Sequence, residues 1–529
     1  MKRNLLAIAA WISGLSLTLS LCAWGGIRQL EICFAGAAFC WGYLCFGKSA
    51  RLPGRDGSAA VLALVSAGCI WPLLSWLRPE NFRLVRWFVG ERLALTGWAE
   101  PLCVVLSLWL IPALYGLVYA FFNGLLRRLR LIFSRMTRTD RLFWCVGWVL
   151  AAAGLVWLFL SSSAFYGAPV EQDAVDVLYT SDSGYLYQQN VYIHVNAGEN
   201  DIRQPLFGVF ALPLSAPLWQ LSRLLPYPAY PLLMGVLQAG MLLVCLVLLR
   251  QMLGIDGLLP LLCLAALYPV LLFGLMQEQY VFAMLWLMLL VDAHLHGEGD
   301  RGWLFGAAAG SMLTSSAFLP LCADWRSWKE SLTQMLRALA VFLAMWMIFG
   351  RFGGLLDLTR SLSWLTDNFV RGDAPLSLLD KLRQYTWFVR SCFAAPEAVL
   401  ESARHGYITW QQAPVDGFSL WGALLLALCC AGFWLCRRQR LAQIAGGWGL
   451  CSLALLGIIG YGAVENGMVL YTLYFGWAWW CLLGLGLKRL LPPKGLQIAL
   501  AALLACLLWL NVPAMAALCR FGITYYPLA

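Results

Sequence analysis

The chain has 529 residues, 61% of them hydrophobic and 12% charged, with a mean hydropathy of +0.72 and a formal net charge of +10. A soluble globular domain carries about 25% charged residues, so this composition excludes that class and points to an integral membrane protein. The excess Lys and Arg cluster in short loops between apolar runs, which is the pattern that orients membrane proteins and not a nucleic-acid footprint.

Apolar segments recur along the chain, each near the roughly 20 residues that cross about 30 Å of hydrocarbon as helix. A membrane-spanning backbone must satisfy its own hydrogen bonds, and no barrel-like alternation is present, so the expected class is all-α and polytopic. The first four spans are expected at 4–24, 27–47, 59–78 and 101–124. Met1-Lys2-Arg3 and the following apolar run lack a clear small-x-small cleavage site, so an uncleaved first helix is expected. Residues 1–141 thus read as an N-terminal accessory bundle, in which Arg78–Arg92 reads either as an interfacial amphipathic helix or as an ordinary loop. A fifth span at 142–162 is followed by polar residues, and further spans are expected at 229–249, 257–275, 280–296, 334–350, 419–436, 441–462, 468–487 and 496–512. That makes about 13 transmembrane helices on the length rule.

The basic loops around Arg51, Arg127–Arg141, Arg437–Arg440 and Lys488–Lys494 are expected on the cytoplasmic side. The loops 163–228 and 351–418 then lie outside, provided that Gly302–Cys322 does not cross. That segment carries GAAAG, Ser311, Thr314, Ser315 and Ser316, and reads as a short or re-entrant hairpin. Pro205–Leu225 reads as a helix along the outer surface. Residues 491–529 are expected to form a last helix and tail.

The 18 cysteines fall mostly inside apolar runs without a CxxC pair, where they act as small hydrophobes. His294-x-His296 with Glu298 and Asp300 has metal-like spacing, but it falls in a Gly-rich turn where three converging ligands are not expected. No P-loop, GxSxG or HExxH motif occurs, which argues against ATPases, serine hydrolases and zincins.

The stretch Ser161–Phe210 holds six carboxylates against Arg203 alone among Lys and Arg. Asp182 is the first candidate: a carboxylate at the membrane surface acts as a general base when desolvated, although a helix cap is the commoner role for an Asp taken alone. Asp173 and Asp176, three apart, read first as a solvated face. Arg203 heads a Pro-opened apolar helix, where a planar guanidinium fits a phosphate bidentately, or else pairs with Glu199 or Asp201. Glu278, and Glu465 with Asn466, sit in turns between apolar helices, where a carboxylate is costly unless it faces a cavity. Arg383 and Arg390, with Trp364, Trp387, Tyr407 and Trp410, lie in the outer stretch 351–418, which is suited to covering a site.

This arrangement resembles the C-type glycosyltransferase superfamily, which includes protein O-mannosyltransferases, aminoarabinose transferases, oligosaccharyltransferases and bacterial relatives. The resemblance is carried by a span, a long outer loop with Asp182 near its start, an Arg-x-Pro-Leu-Phe opening at Arg203–Phe207, and an acidic outer turn at Glu278. It covers residues 142–490 as a transferase-like core. It departs from the family in having one carboxylate, not two, in Thr-Ser-Asp-Ser, and in its N-terminal bundle. The resemblance implies a multi-pass plasma-membrane enzyme with its active face extracytoplasmic. It would move sugar from a polyprenyl-phosphate donor to a glycan, lipid or protein acceptor. Asp182 is implied as catalytic, with Asp173 and Asp176 as substitutes; Arg203, Glu278, Tyr185, Glu465, Asn466, Arg383 and Arg390 are implied to bind substrate. No metal ligand set stands out, and the cofactor stays open, a divalent cation included. The competing classes are a lipid-linked-sugar flippase and a non-catalytic envelope-assembly protein. Carriers place charges at mid-depth, whereas these carboxylates cluster in loops.

Overall fold

The computed structural model describes residues 121–528 except 171–172, 176, 180, 189–190, 194–201, 227, 300, 326, 350–361, 364, 368–369, 371–375, 403–406 and 464–466. The spans expected before residue 121, and the positions of Asp176, Glu465 and Asn466, lie outside the described residues. The chain divides into two compact units. One combines the residues up to Arg135 with Tyr192–Ala197 and Gly208–Pro226; the other holds Met136–Val191, Gly198–Phe207 and Tyr227–Ala529.

The described chain is mostly helical. Five of its helical stretches are long and apolar enough to cross a membrane: Arg138–Ser161, Ala229–Leu253, Arg440–Ile459, Met468–Leu490 and Pro493–Tyr525. By length and composition this is a helical membrane protein. The all-α expectation needs one amendment. Two antiparallel hairpins, β1 (Ala168–Val170) with β2 (Asp173–Val175) and β3 (Ala398–Ser402) with β4 (Ile408–Gln412), occupy the loops expected outside.

Helix α1 (Arg138–Ser161) opens on a capping box in which Thr137 and Asp140 satisfy each other's backbone amides. It runs antiparallel to α4 (Ala229–Leu253), so that buried Asp140 meets Arg250 in the last turn of α4 at 2.5 Å. Between them in sequence lie the short α2 (Ser183–Gln188) and α3 (Phe207–Ser222). Helix α4 stops at Gly254, whose left-handed φ of +60° suits a residue without Cβ. Lys488 then closes that end by donating to the carbonyls of Leu253 (2.9 Å) and Gly254 (2.8 Å).

The single span expected at 257–275 is two helices, α5 (Leu259–Ala265) and α6 (Tyr268–Leu275). Pro269 has no N–H to continue the ladder, and Leu267 takes an extended conformation before it. Asn511 satisfies the break: its Nδ2 donates to the carbonyls of Ala266 (2.8 Å) and Phe393 (2.9 Å), and its Oδ1 accepts from Ala395 N–H (2.9 Å).

Helix α7 (Tyr280–Leu295) lies at the centre, with all but two of its residues buried. It is followed by α8 (Gly302–Ser311), and then by a 3-10 helix at Leu313–Cys322. The chain reverses at Met312, and Arg301 at the start of α8 donates to Leu321 O (3.0 Å) near the end of the 3-10 segment. Residues 302–322 thus form a hairpin with both ends together.

Next come α9 (Trp328–Phe349), α10 (Leu378–Ser391), α11 (Leu420–Cys436) and α12 (Arg440–Ser452), the last continued by a π-helical stretch Leu453–Ile459. After a 3-10 turn at Gly467–Tyr471, the helices α13 (Thr472–Leu490) and α14 (Pro493–Tyr525) complete the chain. Helix α14 runs well past the expected 496–512. Helices α11 and α13 cross so closely that a Cβ on Gly432 would lie 2.2 Å from Leu482 O. Large apolar side chains on α1, α11 and α14 (Trp157, Trp421, Trp434, Trp509) are exposed, as lipid contact requires.

Candidate functional site

The site lies in the larger unit, at the end where α1 finishes and α7 begins. The turn between α6 and α7 is polar and buried: Gln277, Glu278 and Gln279 are each at most 3% exposed. Gln277 Nε2 donates to Pro231 O in the first turn of α4, and Gln277 N–H donates to Phe165 O (3.4 Å), so the turn is fixed to both neighbouring chain segments. Glu278 then reaches the loop that carries Asp182. Its Oε1 accepts the Asp182 N–H at 2.5 Å, and its Oε2 accepts Gln279 N–H at 3.3 Å.

Asp182 is half-buried and stands immediately before α2, its carbonyl accepting Leu186 N–H (2.8 Å). Asp182 thus takes the place of a helix cap, one of the two roles open to it from sequence, while its N–H is held by the buried Glu278 carboxylate. The loop is fixed on its other side by Tyr179, whose hydroxyl lies 2.6 Å from that of Tyr268 and accepts from Trp410 Nε1 (3.0 Å). Burial pushes the Tyr179 phenol above its ordinary pKa.

Arg203 enters from the turn before α3. Its carbonyl accepts Leu313 N–H (2.6 Å), and Leu206 N–H donates to Gly310 O (2.8 Å), so this turn is docked on the reversal of the 302–322 hairpin. Tyr280, the first residue of α7, lies within electrostatic reach of Glu278, Asp182, Arg203 and Tyr461. Its ring makes an edge contact with Tyr471 (5.7 Å), which in turn contacts Tyr461 (5.6 Å).

Arg203, Tyr280, Tyr461 and Tyr471 border a cavity of about 380 Å³, which Asp182 and Glu278 do not line; its size is within the range of small-molecule sites. Tyr474 and Phe475 line it too. Thr314 and Ser316 of the 3-10 segment supply hydroxyls. Aliphatic lining comes from Leu362, Leu365 and Val370 and from Leu455 and Ile459 of the π-helical stretch. A 3-10 run of ten residues and a π-helical run are both uncommon, and both end on this cavity. A lining that combines one guanidinium, phenols and hydroxyls with aliphatic side chains suits an amphiphile with an anionic head.

The expected site residues divide into three groups. Glu278 meets the Asp182 backbone, and Arg203 lines the cavity together with Tyr280, two residues on from Glu278. The backbone of Asp173 lies in β2, paired with Val170. Tyr185, Arg383 and Arg390 do not line the cavity. Tyr185 is on the exposed side of α2. Arg383 pairs with Asp380 one turn away on α10 (3.0 Å) and lies over Phe418, while Arg390 lies over Trp387. The Ser377 hydroxyl, helped by Arg383, holds the Asp380 carboxyl below the usual carboxylate range. These arginines serve the amphipathic face of α10, a role that loop composition alone does not separate from ligand binding.

Sequence reasoning missed Tyr471 and Tyr474. The signal was present as Tyr-Thr-Leu-Tyr-Phe, with two phenols three apart inside an apolar run, a spacing that puts both on one helical face. No cluster of three or more His, Cys, Asp or Glu able to hold a metal occurs among the described residues. His294 and His296 do not converge: His294 Nδ1 lies 2.9 Å from Leu321 O, and His296 Nδ1 lies 3.1 Å from Asp292 Oδ1. Comparison of the chain with family models, with curated proteins and with solved structures gives no match.

Proposed function

We propose that the chain is a membrane glycosyltransferase that moves a sugar from a polyprenyl-phosphate donor to an acceptor at the extracytoplasmic face. The observation that carries this reading is the contact of Glu278 with the Asp182 backbone two residues before Tyr280, which joins Arg203 in lining a cavity with both polar and aliphatic groups. Arg203 supplies the cation for the lipid phosphate, and Leu362, Leu365, Val370, Leu455 and Ile459 take the first isoprene units. Burial of those methylenes contributes roughly 0.8 kcal/mol each.

The chemistry needs one base. An acceptor hydroxyl or amine attacks the anomeric carbon, and its proton passes to the Asp182 carboxylate. The bond from that carbon to the phosphate oxygen breaks, and the electron pair leaves with the phosphate beside Arg203. Glu278 is a positioning residue, since it acts through the Asp182 backbone.

Orientation follows from charge. Arg250, Arg301, Arg437 and Lys488 lie at the end of the helices away from Asp182, and basic ends face the cytoplasm. The test is binding. In nanodiscs, Arg203→Gln is expected to weaken saturable binding of a polyprenyl phosphate about 10- to 100-fold, the value of one charge-assisted contact. Unchanged binding would remove Arg203 from the site.

A carrier is the second reading, favoured by a second cavity at the far end of α7. Phe318, Trp448 and Tyr474 lie between the two, with ring centroids 4.7 and 5.2 Å apart. A carrier must part those rings; a transferase leaves them closed.

A further inference from the structure

The second cavity has a volume of about 740 Å³. Helix α7 contributes Tyr280 to the first cavity and His294 to this one. The fourteen helical steps from one to the other span about 21 Å at the α-helical rise.

One wall is the first half of α12, which presents Arg440, Gln443, Ile444 and Gly447 at the spacing of a single helical face. No side chain caps that helix and no acidic residue lies in its first turn, so its partial positive charge adds to Arg440. Arg440 makes no salt bridge among the described residues. The other cation, Arg301, is already committed: it pairs with Asp324 and donates to Leu321 O (3.0 Å) and Ala323 O (3.3 Å). After that pairing the cleft keeps one positive charge from Arg440 in addition to the helix terminus.

Phe318, Trp325 and Trp448 also line the cleft. Trp448 is buried at the inner end, packed on Phe318. Trp325 stands near the mouth with its ring half exposed and its Nε1 donating to Pro320 O (3.0 Å). Its φ of +54° is left-handed, which is an outlier for a bulky residue. Such strain persists where the surrounding structure imposes it and clusters at ligand clamps. The strained backbone here holds an exposed indole over a cationic cleft.

We propose that this cleft is a second binding site, for a nucleoside diphosphate. The phosphates would meet Arg440 and the first turn of α12, the flat base would stack on the exposed indole of Trp325, and Gln443 would supply hydrogen bonds. The volume suits a ligand of that size. The proposal stands apart from the donor site at Arg203.

The test is calorimetry on the full chain in nanodiscs with ADP, GDP, UDP and CDP, their nucleosides, and inorganic pyrophosphate. At least one diphosphate is expected to bind saturably, with its nucleoside and pyrophosphate each at least tenfold weaker. Arg440→Gln is expected to lower that affinity tenfold or more, while Arg438→Gln and Arg203→Gln leave it unchanged. Trp325→Gly is expected to weaken binding while leaving the melting temperature equal or higher, because glycine relieves the positive φ. That combination separates a ligand clamp from a structural tryptophan. The proposal is overturned if no diphosphate binds saturably at millimolar concentration, or if pyrophosphate binds as tightly as the nucleotides. It is equally overturned if Arg440→Gln changes nothing, or if Arg203→Gln abolishes binding.

Discussion

Removing the Glu278 side chain should loosen the segment that carries Asp182 before it loosens anything else. Glu278 is fully buried and accepts the Asp182 N–H at 2.5 Å. In Glu278→Ala that amide loses its partner. A hydrogen bond to a charged group contributes about 1.5–3 kcal/mol, and 1.4 kcal/mol is a factor of ten in an equilibrium. Local opening around Asp182 should therefore rise roughly 10- to 100-fold. Glu278→Gln keeps a carbonyl acceptor at the same place. A neutral acceptor is about half as strong as a charged one, so the increase should be only several-fold. Amide hydrogen exchange read by mass spectrometry on the chain in nanodiscs measures this directly. Peptides covering 177–188 report the loop, and peptides from the buried second half of α4 serve as the internal reference. The order Ala over Gln over wild type, confined to the loop, is the expected result. Equal exchange in the three proteins would refute the role given to Glu278. Acceleration that includes α4 would show that Glu278 supports the whole unit and not the Asp182 loop.

Two further predictions concern the bundle that holds the site. Asn511→Leu removes three hydrogen bonds that close the break between α5 and α6. It should cost about 3 kcal/mol or more, at 1–3 kcal/mol for each group left unpaired, in denaturant unfolding; a loss under about 0.5 kcal/mol would contradict the assignment. Gly432→Ala places a methyl against the Leu482 carbonyl and should cost about 1–3 kcal/mol by overpacking. Gly154→Ala, with nothing within 4 Å of the new Cβ, should be neutral or stabilising by up to about 1 kcal/mol.

The sequence carried the charged part of the site and not its lining. Asp182, Arg203 and Glu278 stand out because a carboxylate or guanidinium in a 61% apolar chain needs a reason. Tyr471, Tyr474 and Leu455 do not stand out, since the same residues fit a lipid-facing helix equally well. Helix breaks were legible only in part. The Ser and Gly content of 302–322 signalled its reversal, whereas the division at Leu267 depends on Pro269 together with Asn511, which is distant in sequence. Arg383 and Arg390 were drawn to the site by their loop. Their partners Asp380 and Trp387 lie one turn away on α10, and that helical face becomes visible only once its boundaries are known.

The central claim is tested most directly by turnover. The purified chain and Asp182→Asn would be offered a panel of polyprenyl-phosphate sugars with a mixed acceptor extract, and released polyprenyl phosphate would be measured. The account predicts release by the wild-type chain. It predicts retained donor binding with turnover reduced at least 100-fold in Asp182→Asn, general-base catalysis being worth about 10²–10⁴. Equal turnover by both proteins would contradict the role of Asp182. Saturable donor binding without release by the wild type, accompanied by movement of donor across vesicles, would contradict the transferase and leave the carrier.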